Sequence, residues 1–313
     1  MIPAINHPFR GIYVATLTPF RDDGTIDEDA LADHFRSVTA EPGIVGVLCN
    51  GHAGENILLS REERHRVTEI AVKAIGNTHI VVCGILCEAT AEAVCHAEDA
   101  ANAGADSILV FPPFSWALSQ DAEMAVTHHR TIAEAVDTPM MLYQAGVASA
   151  LAYRPDVLSR LVQLPTVVGI KEGSWESNAY DRNRRLVKNT APHVEIMASG
   201  DEHLLSCFAI GSEGSLVSLA VIMPGEIVAL DRAVQGGDLE RARALSERIQ
   251  PLANAIYGTH PVGWATARLK ACMVLLGHWR NGSPRAPITD LPSSEILRLR
   301  HALANAGLLG SDA

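Results

Sequence analysis

Val167-Val168-Gly169-Ile170-Lys171-Glu172 is a run of mostly β-branched, apolar residues that ends on a lysine and a glutamate. A short apolar run of this kind is typical of a strand buried on both faces of a parallel sheet. A lysine at the end of such a strand has two interpretations. Its ammonium group can reach solvent along an apolar stem, or it can lie in an apolar pocket and form a Schiff base with a carbonyl substrate.

The run belongs to a regular alternation of strands and helices. Buried-strand patterns recur at 12–16, 44–49, 79–84, 107–111, 140–143, 167–170, 194–198 and 214–218. An amphipathic helix pattern follows each strand, and Ser60-x-x-Glu63 is a capping box at the start of one helix. Eight such units predict the α/β class and a closed (β/α)8 TIM barrel. A doubly wound sheet is the alternative, although no strand is followed by the glycine fingerprint of a dinucleotide site.

Strand patterns end after Gly236-Gly237. The segments 238–251, 254–257, 264–277 and 294–306 all have helical patterns. We therefore predict two domains, a catalytic barrel at 1–236 and an all-helical C-terminal appendix at 237–313.

Composition excludes several classes of function. The net charge of the 313 residues is -11, which argues against a nucleic-acid partner. No apolar run approaches the roughly 20 residues of a membrane helix, and the segment 1–7 lacks the charged and apolar regions of a signal peptide. We expect a cytoplasmic protein that acts on a small molecule.

Six cysteines are scattered through apolar runs, as expected for buried thiols in a reducing compartment. Cys83, Cys87 and Cys95, with His96, do not have the spacing of a zinc site, so we predict no metal. His128 and His129 lie in the middle of a helix pattern, and we expect them at the surface.

Reactive residues of a (β/α)8 barrel collect at the carboxyl ends of its strands. The polar residues predicted at those ends are Thr16, Thr18, the segment 50–55, Tyr143, Gln144, Lys171, Glu172, the segment 199–201 and Ser218. Gly211-x-x-Gly214 and Ser218 flank strand eight, so we also expect Gly214 and Ser215 to contact the substrate.

Six short motifs occur along the chain in a recognisable order. They are Thr18-Pro19-Phe20, Gly51-x-x-Gly54-Glu55, Tyr143, Gly169-Ile170-Lys171-Glu172, Ser199-Gly200-Asp201 and Gly211-x-x-Gly214. With these motifs the chain resembles the dihydrodipicolinate synthase and N-acetylneuraminate lyase family of pyruvate-dependent class I aldolases and dehydratases. The resemblance implies a barrel with a C-terminal helical domain and a homo-oligomer, usually a tetramer built from dimers. It further implies no cofactor, because Lys171 itself forms an imine with a 2-oxo acid while Tyr143 shuttles protons.

Physical chemistry agrees with these two roles. A free lysine has a pKa of about 10.4, and burial at an apolar strand end lowers that pKa and so frees the nucleophilic amine. The resulting imine is an electron sink for the neighbouring carbon. Tyr143 has a structural alternative, because a tyrosine that ends an apolar run is often a core ring with a solvated hydroxyl.

The turn Gly51-His52-Ala53-Gly54 departs from the family it resembles. In that family, backbone N–H groups and two hydroxyl side chains of this turn hold the substrate carboxylate, and the hydroxyl positions here are His52 and Ala53. A turn of backbone amides can hold an anion without a cationic partner. His52 either acts as an acid or base near neutral pH or only donates a hydrogen bond.

Two further departures concern the second substrate. Ala148 stands where dihydrodipicolinate synthases carry an arginine for the second carboxylate, and Phe114-Ser115 stand near the position of their partner-chain tyrosine. We therefore predict that the protein is not the lysine-pathway synthase, because the bidentate clamp for a carboxylate is missing. A substrate whose far end is apolar, aromatic or a neutral polyol suits the small residues at 145–148 and the rings of Phe111, Phe114 and Trp116 better.

Three hypotheses follow. The first is a Schiff-base lyase that makes or breaks a carbon–carbon bond beside the imine of a 2-oxo acid such as pyruvate. The second is a 2-keto-3-deoxy sugar-acid dehydratase that uses the same imine. The third is a non-catalytic 2-oxo-acid binding protein, which needs neither Lys171 nor Tyr143.

Overall fold

The computed structural model describes residues 9–309, and within that range eight parallel strands close into a barrel in chain order. The strands are β1 (Gly11–Ala15), β2 (Ile44–Cys49), β3 (Ile80–Ile85), β4 (Ser107–Val110), β5 (Met140–Gln144), β6 (Val167–Glu172), β7 (Glu195–Ala198) and β8 (Gly214–Val217). The predicted (β/α)8 barrel is confirmed. The segment 1–7, in which no signal peptide was expected, lies outside the described residues.

Helices surround the barrel and continue beyond it. Those of the barrel are α1 (Glu28–Thr39), α2 (Arg61–Ile75), α3 (Thr90–Asn102), α4 (Phe114–Ser119), α5 (Ala122–Ala135), α6 (Pro155–Leu161), α7 (Ser177–Thr190), α8 (Leu204–Ile210) and α9 (Pro224–Gln235). After the barrel come α10 (Leu239–Ile256), α11 (Ala265–Leu275) and α12 (Ser293–Asn305). Helix α4 was not predicted. No helix between residues 9 and 309 has the length and apolar character needed to cross a membrane.

Local sequence signals explain where helices begin. The Asp27 carboxylate accepts a hydrogen bond from the Ala30 amide at 3.2 Å and caps α1. At α2 the predicted capping box is confirmed: the Glu63 amide donates to the Ser60 hydroxyl at 3.2 Å, and the Ser60 amide donates to the Glu63 carboxylate at 2.8 Å.

The apolar core has two layers. The inner layer fills the barrel with side chains from alternate strand positions, among them Tyr13, Leu48, Val82, Leu109, Phe111, Met141, Met197 and Leu216. The outer layer lies between the strands and the helices and continues into the C-terminal helices. Because a filled barrel is a packed core and not a pore, a binding site has room only at its ends.

Helix α10 corrects one prediction. The sequence suggested one helix that ends at Pro251 and another at 254–257, yet α10 runs without interruption from Leu239 to Ile256 and contains this proline. An internal proline costs about 3 kcal/mol because it removes one backbone hydrogen bond. Burial of Ile249, Leu252 and Ile256 against the core offsets that cost.

A buried charge network joins the C-terminal helices to the loop after β2. Lys270 of α11 is fully buried and forms an ion pair with the buried carboxylate of Glu55. The Arg285 amide donates to the same carboxylate at 2.8 Å. The ring of Phe20 lies between the two cations, 4.1 Å from the Lys270 ammonium and 4.4 Å from the Arg285 guanidinium carbon. These contacts hold the turn that carries His52.

The expectation that His128 and His129 lie at the surface is wrong, since both are buried, and His128 faces α3, where its Nδ1 lies 3.0 Å from the Thr90 hydroxyl. A hydrogen bond joins His129 Nδ1 to the Ala125 carbonyl at 2.9 Å, and the Tyr153 hydroxyl is 3.4 Å from His129 Nε2. Burial is the main cause that lowers the pKa of His129 to about 3. The side chain is therefore neutral in the folded protein at neutral pH.

We expect this histidine to contribute to acid sensitivity. The pKa of His129 is 6.5 when unperturbed and about 3 when folded, so the unfolded chain binds more protons in that window. Stability is full above about pH 6.5 and is lost as the pH falls. Replacing His129 with Gln should reduce the slope of unfolding free energy against pH by up to about 1.4 kcal/mol per pH unit. Urea unfolding between about pH 7 and about pH 4 measures the slope.

The exposed His301 on α12 offers the matched control, since His301→Gln makes the same substitution at a histidine that is not buried. An equal slope for wild type and His129→Gln would contradict the prediction.

Candidate active site

Neighbouring strands bring the lysine and the tyrosine together. In the parallel register of β5 and β6, Tyr143 pairs with Lys171 at the carboxyl ends of the strands. The Lys171 ammonium nitrogen lies 5.8 Å from the centre of the Tyr143 ring. Both side chains line the same cavity.

The cavity has a volume of about 650 Å³ and is open at the barrel mouth. Its wall on the barrel side consists of His52, Ala53, Tyr143, the segment 146–149, Lys171, the segment 174–176, Ser199, Asp201 and Ser218. The C-terminal helical segment supplies the rest, which is Tyr257, Val262, Ala265, Thr266 and Leu269. The helices beyond the barrel therefore complete the site.

Lys171 is almost fully enclosed, with 9% of its surface exposed. Burial lowers the pKa of its amine to about 8, and the nearby charge of Asp201 opposes part of that drop. Roughly a tenth of the amine is therefore unprotonated at pH 7, far more than for an ordinary lysine, and nucleophilic attack on a carbonyl requires this unprotonated form.

Asp201 is an acidic residue of the cavity wall, and its charge acts on the amine of Lys171. It follows β7, is buried, and accepts a hydrogen bond from the Leu219 amide at 2.7 Å. Burial raises the pKa of Asp201 to about 6, while the Leu219 bond, the Lys171 charge and a hydrogen bond from Tyr257 act in the opposite direction. The sequence placed Asp201 at the mouth without a role. Its carboxyl group can exchange a proton near neutral pH.

Tyr143 packs among other rings of the site. Its ring centre lies 4.9 Å from Phe111 and 5.4 Å from His52. Burial, followed by the charges of Glu172 and Asp201, raises the pKa of Tyr143 to about 12. The phenol thus stays protonated at neutral pH and can donate a hydrogen bond or pass on a proton.

The turn after β2 presents unpaired amides to the cavity. The amides of Gly54, Glu55 and Asn56 donate within the turn, whereas those of His52 and Ala53 have no acceptor among residues 9–309. Successive free N–H groups in a turn can bind an anion such as a carboxylate. Gly51 and Gly54 shape this turn but do not line the cavity, and Glu55 adopts a left-handed φ of 57°.

His52 lies in the cavity with its ring 4.4 Å from that of Phe111. The surrounding protein is the main cause that lowers the pKa of His52, and the positive charge of Lys171 adds to it. The ring is still exposed to cavity solvent, which limits this shift. A neutral imidazole with a lowered pKa is a weak base, so this environment favours hydrogen bonding over proton transfer.

We expected Gly214 and Ser215 to contact the substrate, but neither residue lines the cavity. The turn at 211–213 precedes β8 and lies at the amino ends of the strands, away from the cavity. A Cβ atom at Gly214 would approach the Gly11 carbonyl oxygen to 1.9 Å, so this glycine allows close packing of β8 on β1. The β8 region contributes Ser218 to the cavity instead.

The aromatic residues at the mouth also differ from expectation. Trp116 is fully buried against Tyr153, and Phe114 is 60% exposed outside the cavity. The rings that line the cavity beyond Tyr143 are Trp175 and Tyr257, which sequence patterns did not identify. Tyr257 follows α10 in an unremarkable helical pattern, so no local signal marks it.

One group of possible metal ligands lies elsewhere. Cys87, Glu92 and His96 place ligand atoms within 4.8 Å of one another. The Arg64 guanidinium is 3.8 Å from the Cys87 sulfur and would repel a metal cation. The absence of a metal and of a cofactor stays a prediction.

The lysine and the tyrosine lie together at the carboxyl ends of the strands, the end at which (β/α)8 barrel enzymes carry their active sites. Residues 8–306 match the Dihydrodipicolinate synthetase family, and the chain belongs to this family. This membership supports a lyase activity.

Similar proteins cover nearly the whole chain. A 4-hydroxy-tetrahydrodipicolinate synthase from Methanothrix thermoacetophila is 33% identical over 97% of this chain and 99% of its own. An uncharacterized DapA-like lyase from Halobacterium salinarum is 32% identical over 96% and 94%. A prophage protein from E. coli K12, solved in complex with pyruvate, has the same fold with a TM-score of 0.89 at 22% identity, over 96% and 99% of the two chains.

We expect the amine of Lys171 to titrate well below an ordinary lysine. Pulse labelling with acetic anhydride across a pH series, read by peptide mass spectrometry, should give half-maximal labelling near pH 8. Because the Asp201 charge raises the pKa of Lys171, the variant Asp201→Asn should shift the midpoint to lower pH. The exposed Lys73 serves as the internal standard. An unchanged or higher midpoint in the variant would contradict the electrostatic coupling.

Proposed function

We propose that this protein is a Schiff-base lyase that makes or breaks a carbon–carbon bond beside the imine of a 2-oxo acid, with pyruvate as the common fragment. The observation that carries the proposal is the buried amine of Lys171 beside Tyr143 in a cavity at the carboxyl ends of the strands. A role in binding alone gives no reason to bury an amine with a lowered pKa.

In the proposed reaction, the Lys171 nitrogen attacks the keto carbon of pyruvate, and water leaves to form a protonated imine. Loss of a proton from the methyl carbon converts the imine into an enamine. The enamine carbon then bonds to the carbonyl carbon of an aldehyde, whose oxygen gains a proton. Water finally hydrolyses the imine and releases a 4-hydroxy-2-oxo acid. Cleavage is the reverse sequence.

Three groups support these steps. The free amides of His52 and Ala53 suit the carboxylate of the 2-oxo acid. The Tyr143 phenol suits proton delivery to the hydroxyl that leaves on imine formation. The carboxyl group of Asp201, with a pKa near 6, suits proton exchange close to the imine nitrogen. All these residues line the same cavity.

We do not assign the synthase activity of the named relatives to this chain. Ala148 lines the cavity at the position where dihydrodipicolinate synthases carry an arginine for the second carboxylate. Within the described part of the chain, no arginine lines the cavity. A second substrate with its own carboxylate would therefore lack a charged partner. The homo-oligomeric state and the cytoplasmic location stay predictions.

The covalent step has a direct test. We expect incubation with pyruvate and borohydride to add one reduced pyruvyl group to the peptide that contains Lys171, because borohydride reduces an imine irreversibly. Peptide mass spectrometry measures the adduct. The variant Lys171→Met should show none, whereas Lys73→Met on the surface should behave like wild type. Lack of an adduct in wild type with pyruvate and with other 2-oxo acids would refute the proposal.

The two side chains near Lys171 should differ in their effects. Tyr143→Phe should lower kcat about 10²- to 10⁴-fold, the usual loss for a proton donor, while the borohydride adduct still forms slowly. His52→Asn should instead raise KM for the 2-oxo acid with little change in kcat, since a neutral ring with a lowered pKa serves binding. Steady-state kinetics of both variants measure the contrast. Equal losses of kcat would contradict this division of roles.

Identification of the reaction products separates a lyase from a dehydratase. Release of free pyruvate from a 4-hydroxy-2-oxo acid supports the lyase. A product that retains every carbon of a 2-keto-3-deoxy sugar acid would favour the dehydratase instead.

A further inference from the structure

Trp175 is the most constrained residue of the cavity wall. Its φ of 63° is in the left-handed region, which bulky residues rarely adopt. Its neighbour Ser174 is fixed by a hydroxyl bond to Glu172 at 2.9 Å, and Asn183 donates to the same carboxylate at 2.6 Å. These hydrogen bonds fix the residues that precede Trp175. A bulky residue with a strained backbone next to such a fixed segment indicates a functional constraint on the position of its ring.

The indole packs on the loops that follow β5 and β6. A Cβ atom at Gly146 would contact Trp175 Cδ1 at 3.4 Å, and one at Gly173 would lie 3.6 Å from Nε1. On its other side the indole meets the ring of Tyr257, with centres 5.5 Å apart. Both rings line the cavity, so together they form an aromatic wall.

Among the residues that the structure describes, the cavity wall has no cation for a second anionic group. Its charged wall residues are Lys171, Asp201 and Glu176, of which two are acidic and the third is used by the imine. A carboxylate or phosphate on the second fragment would face these acids without a cation. The charges of the wall therefore favour an uncharged second fragment.

Polyols are disfavoured along the apolar part of the wall. Several wall hydroxyls already bond within the protein: Ser174 to Glu172, Ser218 to Tyr257 at 2.7 Å, and Ser149 to the Leu151 amide at 3.1 Å. Much of the remaining wall is apolar and comprises Val147, Ala148, Val262, Ala265 and Leu269. Sugar hydroxyls placed there would lose hydrogen bonds to water.

We propose that the aldehyde which joins or leaves the imine carries an uncharged, planar apolar group, such as an aromatic ring, that packs on the indole of Trp175. This inference rests on the proposed function and specifies its second substrate. A cavity of about 650 Å³ lies within the range of about 300–1,000 Å³ for pockets that hold drug-sized ligands, so a ring has room beside pyruvate. With benzaldehyde the enamine carbon bonds to the formyl carbon, the formyl oxygen gains a proton, and hydrolysis yields 4-hydroxy-4-phenyl-2-oxobutanoate.

Competing aldehydes test the inference. With pyruvate as donor, we expect kcat/KM for benzaldehyde to exceed that for 4-carboxybenzaldehyde, succinate semialdehyde and glyceraldehyde by about 10- to 200-fold, the range that a hydrophobic pocket provides. The first competitor adds only a charge to the ring, and the last replaces the ring with hydroxyls. A preference for any of the three competitors, or turnover of none of the four aldehydes, would overturn the inference.

Variants at Trp175 identify the wall. Trp175→Gly removes the ring and relieves the left-handed strain, so the fold is retained. It should lower kcat/KM for benzaldehyde at least about 10-fold and leave the pyruvate adduct on Lys171 unchanged. Trp175→Phe should restore most of the preference. Trp279→Ala is the matched control, because that indole packs on His34 outside the cavity.

The outcomes separate the two proposals. A pyruvate adduct with unaltered aldehyde preference in Trp175→Gly would overturn the aromatic wall and leave the lyase intact. Loss of the adduct in wild type would refute the lyase itself, and the inference with it.

Discussion

Removal of one amine from water is the constraint on which the site depends. The Lys171 side chain lies at the end of β6, where the closed barrel leaves little contact with solvent. An ammonium in that position is unfavourable unless opposite charge is near, and Asp201 supplies only part of what water would provide. The balance lowers the pKa of the amine to about 8, and the parallel register of β5 places the Tyr143 ring beside it.

The C-terminal helices are part of this arrangement. Lys270 of α11 pairs with Glu55 beneath the turn that carries His52, so the helical segment supports the turn from below. The Arg268 guanidinium donates to the carbonyls of Ile256 and Thr259 at 2.9 and 3.0 Å, which holds the segment around Tyr257. Barrel and helices thus share the walls of one cavity.

Sequence patterns predicted features that depend on local physics. Eight buried strands, the capping box at Ser60 and the positions of Tyr143 and Lys171 at strand ends follow from periodicity and from the rule that reactive groups collect at the carboxyl ends. Patterns failed where packing overrides local preference. Pro251 lies inside α10 because its neighbours are buried, and His128 and His129 are buried because α5 packs on Thr90 of α3 and on Tyr153. The Gly214 prediction failed because a glycine in a turn does not reveal to which end of the barrel the turn belongs.

The sequence by itself determined the barrel, its order of strands and the lysine that ends β6, because strand and helix periods are local properties of the chain. Only the tertiary structure decided what surrounds that lysine. Trp175, Asp201 and Tyr257 come from loops and a helix end that are distant in sequence, and they meet because the barrel closes and α10 returns across its mouth. Burial and the pKa values of the site depend on this three-dimensional packing, which no single stretch of sequence encodes.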